Sequence, residues 1–165
     1  MDKKRCFWAD NATDLEKKYH DTEWWVASYD DRYLFEMLCL EWAQAWLSWR
    51  TILEKREGYK KAFDNFDIDK IVNYSEEKLE SLKENPEIIR NKLKIKSVQK
   101  NARVVKNIQE EYWSFSDYIW SFTNNKQIIN YYNHYSEMPV SSELSVKISK
   151  DLKKRWASFV GEVIM

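Results

Sequence analysis

Glycine is nearly missing from this chain: two residues, Gly58 and Gly161, stand where average usage of about 7% would supply roughly eleven or twelve in 165. Few residues can then reach positive φ cheaply, so tight turns fall to Asn, Asp or strained residues. Cysteine is scarce as well, and Cys6 and Cys39 are too few for a disulfide framework. No stretch resembles a signal peptide or an uninterrupted membrane span, which implies a cytoplasmic protein with no membrane partner. Neither sign of charge is in excess, with 27 basic and 27 acidic residues, so any nucleic-acid site must come from a local patch. The length suits a single domain, residues 1–165, with a real core.

What the chain has in quantity is tryptophan, nine in all. Three of them, Trp42, Trp46 and Trp49, lie in one ten-residue stretch with a single carboxylate, Glu41. Aromatic planes around one acid suit a pocket for a flat, cationic or electron-poor ring, because ring faces attract positive charge and a carboxylate accepts N–H groups. A second reading competes. Phe35, Leu38, Trp42, Trp46, Trp49 and Leu53 recur at spacings of three and four, the mark of a helix whose apolar stripe is core. Glu41 is what the second reading leaves unexplained, since a carboxylate among aromatic residues is costly to bury without a partner.

The rest of the chain reads as helices. Met1 to Asn11 is irregular; Thr13-Asp14-Leu15-Glu16 is a capping box for a helix from Asp14 to His20; Asp30 and Asp31 open another from Arg32 to Glu41. Periodicity resumes from Trp49 to Lys55 and again from Glu57 to Phe63, followed by a helical turn at Asp67 and Asp69 and a helix from Glu76 to Lys83 capped by Ser75. Asn85-Pro86 is a start signal for the longest helix, ending near Tyr112, whose polar face carries Arg90, Lys92, Lys94, Lys96, Lys100, Arg103 and Lys106. That face is either solvated or a phosphate-tracking surface. Ser116 caps Asp117 to Phe122, Asn124-Asn125 turns the chain, and Tyr131 to Pro139 is an aromatic connection with His134 at the surface. A helix from Ser141 or Ser142 to Arg155 and a last one from Ser158 or Phe159 complete the chain. No alternating strand pattern occurs, so the fold class is all-α, with eight or nine short helices.

Several motifs recur together in register: Cys6-x-Trp8, Tyr19-His20-Asp21-x-Glu23-Trp24, the run from Leu34 to Glu41, Leu47-Ser48-Trp49, Leu53-x-Lys55-Arg56, Ile88-Ile89-Arg90, Lys94-Ile95, Asn101-Ala102, Trp120-Ser121-Phe122 and Lys153-Lys154-Arg155-x-x-x-Phe159-Val160-Gly161. In order and spacing, over nearly the whole chain, they resemble the DNA-3-methyladenine glycosylase I family. The resemblance implies a helix-hairpin-helix DNA glycosylase, acting as a monomer on duplex DNA that contains alkylated adenine. It implies that Glu41 accepts hydrogen bonds from the base edge, that Trp49 stacks on the base, and that Tyr19, Trp24 and Trp8 complete the pocket. Leu47 would be the wedge that fills the space left by a flipped base, and Gly161 would belong to the phosphate-binding hairpin. Cys6 and His20 would be two ligands of a structural zinc whose other two, a His and a Cys, lie in a tail beyond Met165, leaving the metal site incomplete. Cys39, in an apolar run, reads as a core thiol.

The chain also departs from the family pattern, which has glycine at the positions of Trp25, Trp42, Trp46, Trp113 and Trp156. Trp46 precedes the wedge and Trp156 falls in the hairpin, two places where the backbone approaches DNA, so both are expected to obstruct it. A non-catalytic helical scaffold, its pocket filled by Trp42 or Trp46, is the alternative to an active glycosylase.

Overall fold

The computed structural model describes residues 5–165 except Asn133; the expectation for Met1 to Lys4, and that single residue of the 131–139 connection, lie outside the described residues. Side-chain caps set most helix starts. Thr13 and Glu16 form the capping box of α2 (Asp14–Thr22), Asp30 caps α3 (Asp31–Gln44), Ser48 caps α4 (Trp49–Ala62) and Asp67 caps α5 (Ile68–Ile71). Each places an oxygen on an N–H that the first turn leaves without a partner. Ser75 does the same for α6 (Glu76–Ser81), Asn91 for α7 (Lys92–Tyr112), Ser114 for α8 (Phe115–Ser121) and Ser142 for α9 (Glu143–Lys154). A short α1 (Phe7–Asp10) precedes them, and no strand occurs among the described residues. None of the described helices is long and apolar enough to cross a membrane.

The long helix α7 is the centre of the packing. Ile95, Val98, Ala102, Val105 and Ile108 form its buried face, against which α3, α5, α6 and α8 pack. Asp31, the first residue of α3, ties two of these elements together: its carboxylate accepts from Gln109 Nε2 at 2.6 Å, Phe115 N at 2.8 Å and Ser116 N at 2.7 Å. One side chain on α3 thus caps the start of α8.

Several expectations give way to tertiary structure. The stripe of Trp42, Trp46 and Trp49 is not one helix face: residues 45–48 break it, Trp42 is 1% exposed in the core, and Trp46 is 100% exposed. Ser48 starts a new helix there, accepting from Thr51 N, and period-based reading cannot see a break that leaves the spacing intact. The two stretches predicted around residues 49–63 are one helix. Asn85-Pro86 opens no helix; Asn85 Oδ1 accepts from Glu87 N at 2.8 Å and holds a turn, and α7 begins only after Asn91. Ser114 rather than Ser116 caps α8: its Oγ accepts from Asp117 N at 2.8 Å, and Ser116 lies inside the first turn with its N–H donating to Asp31. The predicted last helix is a series of turns: Asn101 holds Ser158 from both sides, with Asn101 Nδ2 on Ser158 O at 3.0 Å and Ser158 N on Asn101 Oδ1 at 2.8 Å. The irregular N-terminal stretch contains the helical turn of α1.

Candidate base-binding site

Three sequence-predicted residues meet where α2, α3 and α4 converge. Tyr19, on the last turn of α2, is buried and places its ring 5.3 Å from that of Trp49, the first residue of α4. Glu41 projects from the final turn of α3, close enough for its charge to raise the Tyr19 phenol pKa, second to the effect of burial itself. The carboxylate is partly buried, and among the described residues no hydrogen bond or ion pair reaches it. The Trp49 indole Nε1 is buried without a partner as well. A desolvated acid beside two aromatic faces and an unused N–H is costly for the fold alone and suited to a flat ligand that carries N–H groups and positive charge.

Desolvation pushes the Glu41 pKa up from 4.5 to about 7. The folded state therefore holds this proton more tightly than the unfolded chain. The cost of burying the charge is absent below pH 4.5, grows as pH rises, and is complete above about pH 7. Glu41→Gln removes that charge, so at pH 8 it is expected to raise stability by up to about 3 kcal/mol. The gain should vanish near pH 4; an equal Tm difference at both pH values would mean that the carboxylate is not desolvated.

Behind Tyr19 lies a network that the sequence reading missed. Arg56 donates through Nε to Glu36 at 2.6 Å and through Nη1 to Glu23 at 2.7 Å, and the Tyr33 hydroxyl donates to Glu23 at 3.2 Å. Glu36 is buried, so these pairs lock α3 to α4 and to the segment after α2. The only advance signal was the number of charges in apolar runs. Lys94, predicted on the basic face of α7, instead turns inward: its Nζ donates to Ala43 O at 2.9 Å and Ala45 O at 2.7 Å, and desolvation lowers its pKa. It thus satisfies carbonyls at the end of the helix that carries Glu41. Lys96 and Lys106 pair with Glu76 and Asp69, and Lys100 donates to Ser158 Oγ, so most of this face is engaged within the molecule.

The other predicted residues form separate groups. Trp8 and Trp24 pack on His20 rather than on Trp49, with ring centroids 5.3 and 5.5 Å from the imidazole, and Trp25 touches its edge at 4.5 Å. Tyr19 and His20 are adjacent, so α2 presents one ring to each cluster. Leu47 and Trp46 stand exposed on the turn between α3 and α4, beside the Glu41 site in sequence. Gly161 follows the buried Val160, whose carbonyl accepts from Ser149 Oγ at 2.6 Å. Cys39 is fully enclosed in the core.

Cys6 and His20 are neighbours, but both imidazole nitrogens are engaged: Nε2 accepts from the Cys6 N–H at 3.2 Å and Nδ1 lies 3.0 Å from Asp21 Oδ1. No group of three or more metal-binding side chains occurs among the described residues. The residues as placed do not fit the zinc that the resemblance implies. A cleft of about 690 Å³ lies between residues 24–27 and 127–132, and neither Glu41 nor any other carboxylate lines it.

Neither Trp42 nor Trp46 packs on the Tyr19 and Trp49 rings. Trp42 packs into the core with Cys39, Tyr59 and Ile95, and Trp46 packs on nothing. All-helical among the described residues, with an acid close to Tyr19 that no described residue pairs, the protein has the fold of a helix-hairpin-helix DNA glycosylase-like domain. The methyladenine glycosylase family model matches residues 8–165, and the chain belongs to that family. It is 41% identical over 161 residues to DNA-3-methyladenine glycosylase 1 of Escherichia coli K12, covering 98% of this chain and 86% of the relative. It is 39% identical over 158 residues to DNA-3-methyladenine glycosylase of Haemophilus influenzae, covering 96% and 85%. A crystal structure of 3-methyladenine DNA glycosylase I superposes with a TM-score of 0.93 at 41% identity, covering 98% of this chain and 88% of that one. A Staphylococcus aureus 3-methyladenine DNA glycosylase I, solved to explain 3-methyladenine recognition, superposes with a TM-score of 0.90 at 33% identity, covering 92% and 81%.

Proposed function

We propose that this protein is a base-excision glycosylase that hydrolyses the N-glycosidic bond of N3-methyladenine in alkylated duplex DNA, acting as a monomer. The observation that carries the reading is Glu41, a desolvated carboxylate with no partner among the described residues, near Tyr19, whose ring packs on that of Trp49. Methylation at N3 makes the base cationic in DNA. The glycosidic electron pair can then leave with the base, which departs neutral, while water adds to the sugar C1′ and gives up a proton. Such a leaving group needs little acid catalysis, so the site's task is to select the flipped base and stabilise charge.

In this reading Glu41 accepts an N–H of the base edge and balances its charge, Trp49 stacks on the base, and Tyr19, packed on Trp49, supports that ring and lines the site. Leu47, 39% exposed on the turn before α4, fills the gap in the duplex. The scaffold alternative has Trp42 or Trp46 filling the site, whereas Trp42 is in the core and Trp46 is fully exposed. The direct test is release of free base from duplex DNA carrying N3-methyladenine. Release that is lost in Glu41→Gln supports the proposal; no release by a folded protein at pH 8, where Glu41 is ionised, overturns it.

A further inference from the structure

Three tryptophans occupy backbone positions built for glycine. Trp46 is the third residue of a type II turn: Ala45 has φ −44° and ψ 117°, Trp46 has φ 70°, and Leu47 N closes onto Gln44 O at 2.6 Å. That turn demands positive φ at its third residue, which glycine supplies without steric cost. Trp156 follows the C-cap of α9 with φ 69°; its N–H donates to Lys153 O and that of Ala157 to Leu152 O, both at 3.0 Å. This pair of bonds is the Schellman closure, whose left-handed residue is usually glycine. Trp113 caps α7 at φ 72° and ψ −35°, outside the small left-handed well open to residues with a Cβ.

No packing compensates for these conformations. Trp46, Trp113 and Trp156 are 100%, 94% and 79% exposed. Phe66, Asp64 and Phe159 also have positive φ: Phe66 is fully buried in the core, the Asp64 carboxylate accepts from the Tyr74 hydroxyl, and Phe159, at 40% far less exposed than the three, follows Ser158, which Asn101 holds on both sides. Asn65, Asn124 and Asn125 reach positive φ as short polar residues commonly do. The other six tryptophans are unlike the three: Trp8, Trp24 and Trp25 pack on His20, Trp42 lies in the core, Trp49 packs on Tyr19, and Trp120 stacks on Tyr29 and donates to Ser28 O at 2.9 Å, none at positive φ. One residue type thus falls into two populations, in a chain whose two glycines both lack positive φ.

We infer that positions 46, 113 and 156 are decoded as glycine in the organism that expresses this gene. A single codon with different meanings in different translation systems accounts for all three at once. UGA is that codon, since it is read as stop, tryptophan or glycine according to the system. Trp8, Trp24, Trp49 and Trp120, which pack at ordinary backbone angles, are true tryptophans, encoded by UGG. Glycine at position 46 also clears a fully exposed indole from the turn that carries Leu47, although the inference stands on backbone geometry and not on the proposed activity.

The gene and the native protein test this together. UGA is expected at codons 46, 113 and 156, and UGG at codons 8, 24, 49 and 120. Trypsin yields residues 33–50, 107–126 and 156–165 as separate peptides, and the first two carry Trp49 and Trp120 as internal controls. Mass spectrometry of protein from the source cells should find glycine at 46, 113 and 156 and tryptophan at both controls. Tryptophan in the native peptides at these positions, or UGG codons there, overturns the inference. In recombinant protein, the triple change Trp46→Gly, Trp113→Gly and Trp156→Gly should raise Tm by roughly 10 °C. An unchanged or lower Tm would remove its structural basis.

Discussion

Glu41→Gln is expected to lower excision of N3-methyladenine by about 10- to 150-fold, the value of a hydrogen bond to a charged group. Affinity for undamaged duplex should not change. The carboxylate has no partner among the described residues, so the effect is not that of breaking a structural ion pair there. Nor can it come from unfolding, because the same substitution should stabilise the protein at pH 8, where it removes a desolvated charge. A rise in Tm together with a loss of excision is a combination that a structural residue does not produce. Parallel losses on damaged and undamaged DNA would take Glu41 out of the pocket.

Asp31→Ala should cost about 3 kcal/mol and lower Tm by roughly 6–12 °C. Its two oxygens accept three hydrogen bonds from Gln109, Phe115 and Ser116, so alanine leaves two backbone N–H groups at the start of α8 without a partner and separates α3 from α7. Asp31→Asn keeps one acceptor oxygen and should lose less. Thermal unfolding of both variants is the check. A change under about 2 °C for the alanine variant would show that water replaces the carboxylate without loss.

Residues that act on their own neighbours were legible before any coordinates. Thr13 with Glu16, Asp30, Ser75 and Ser142 mark helix starts because a cap and the N–H it serves lie within three residues of each other. The ordered motifs placed Glu41, Tyr19 and Trp49 in one functional set. Where local signals conflicted with distant ones, they misled. Asn85-Pro86 has the form of a helix start, yet Asn85 holds a turn, and Pro86 O accepts from Lys55 of α4 at 2.8 Å.

The amino-acid sequence by itself determined the all-helical class, most helix starts, the family and the identity of the unpaired acid, since each depends on residues close in the chain or on an ordered set of motifs. Only the tertiary structure decided that Trp42 is core while Trp46 is bare, that Lys94 faces inward onto Ala43 and Ala45, that Asp31 serves a helix more than eighty residues away, and that none of the described residues pairs with Glu41. The reason is physical: a side chain's burial and its hydrogen-bond partners are set by whichever distant elements pack around it, and helical period is the same on a buried face and an exposed one.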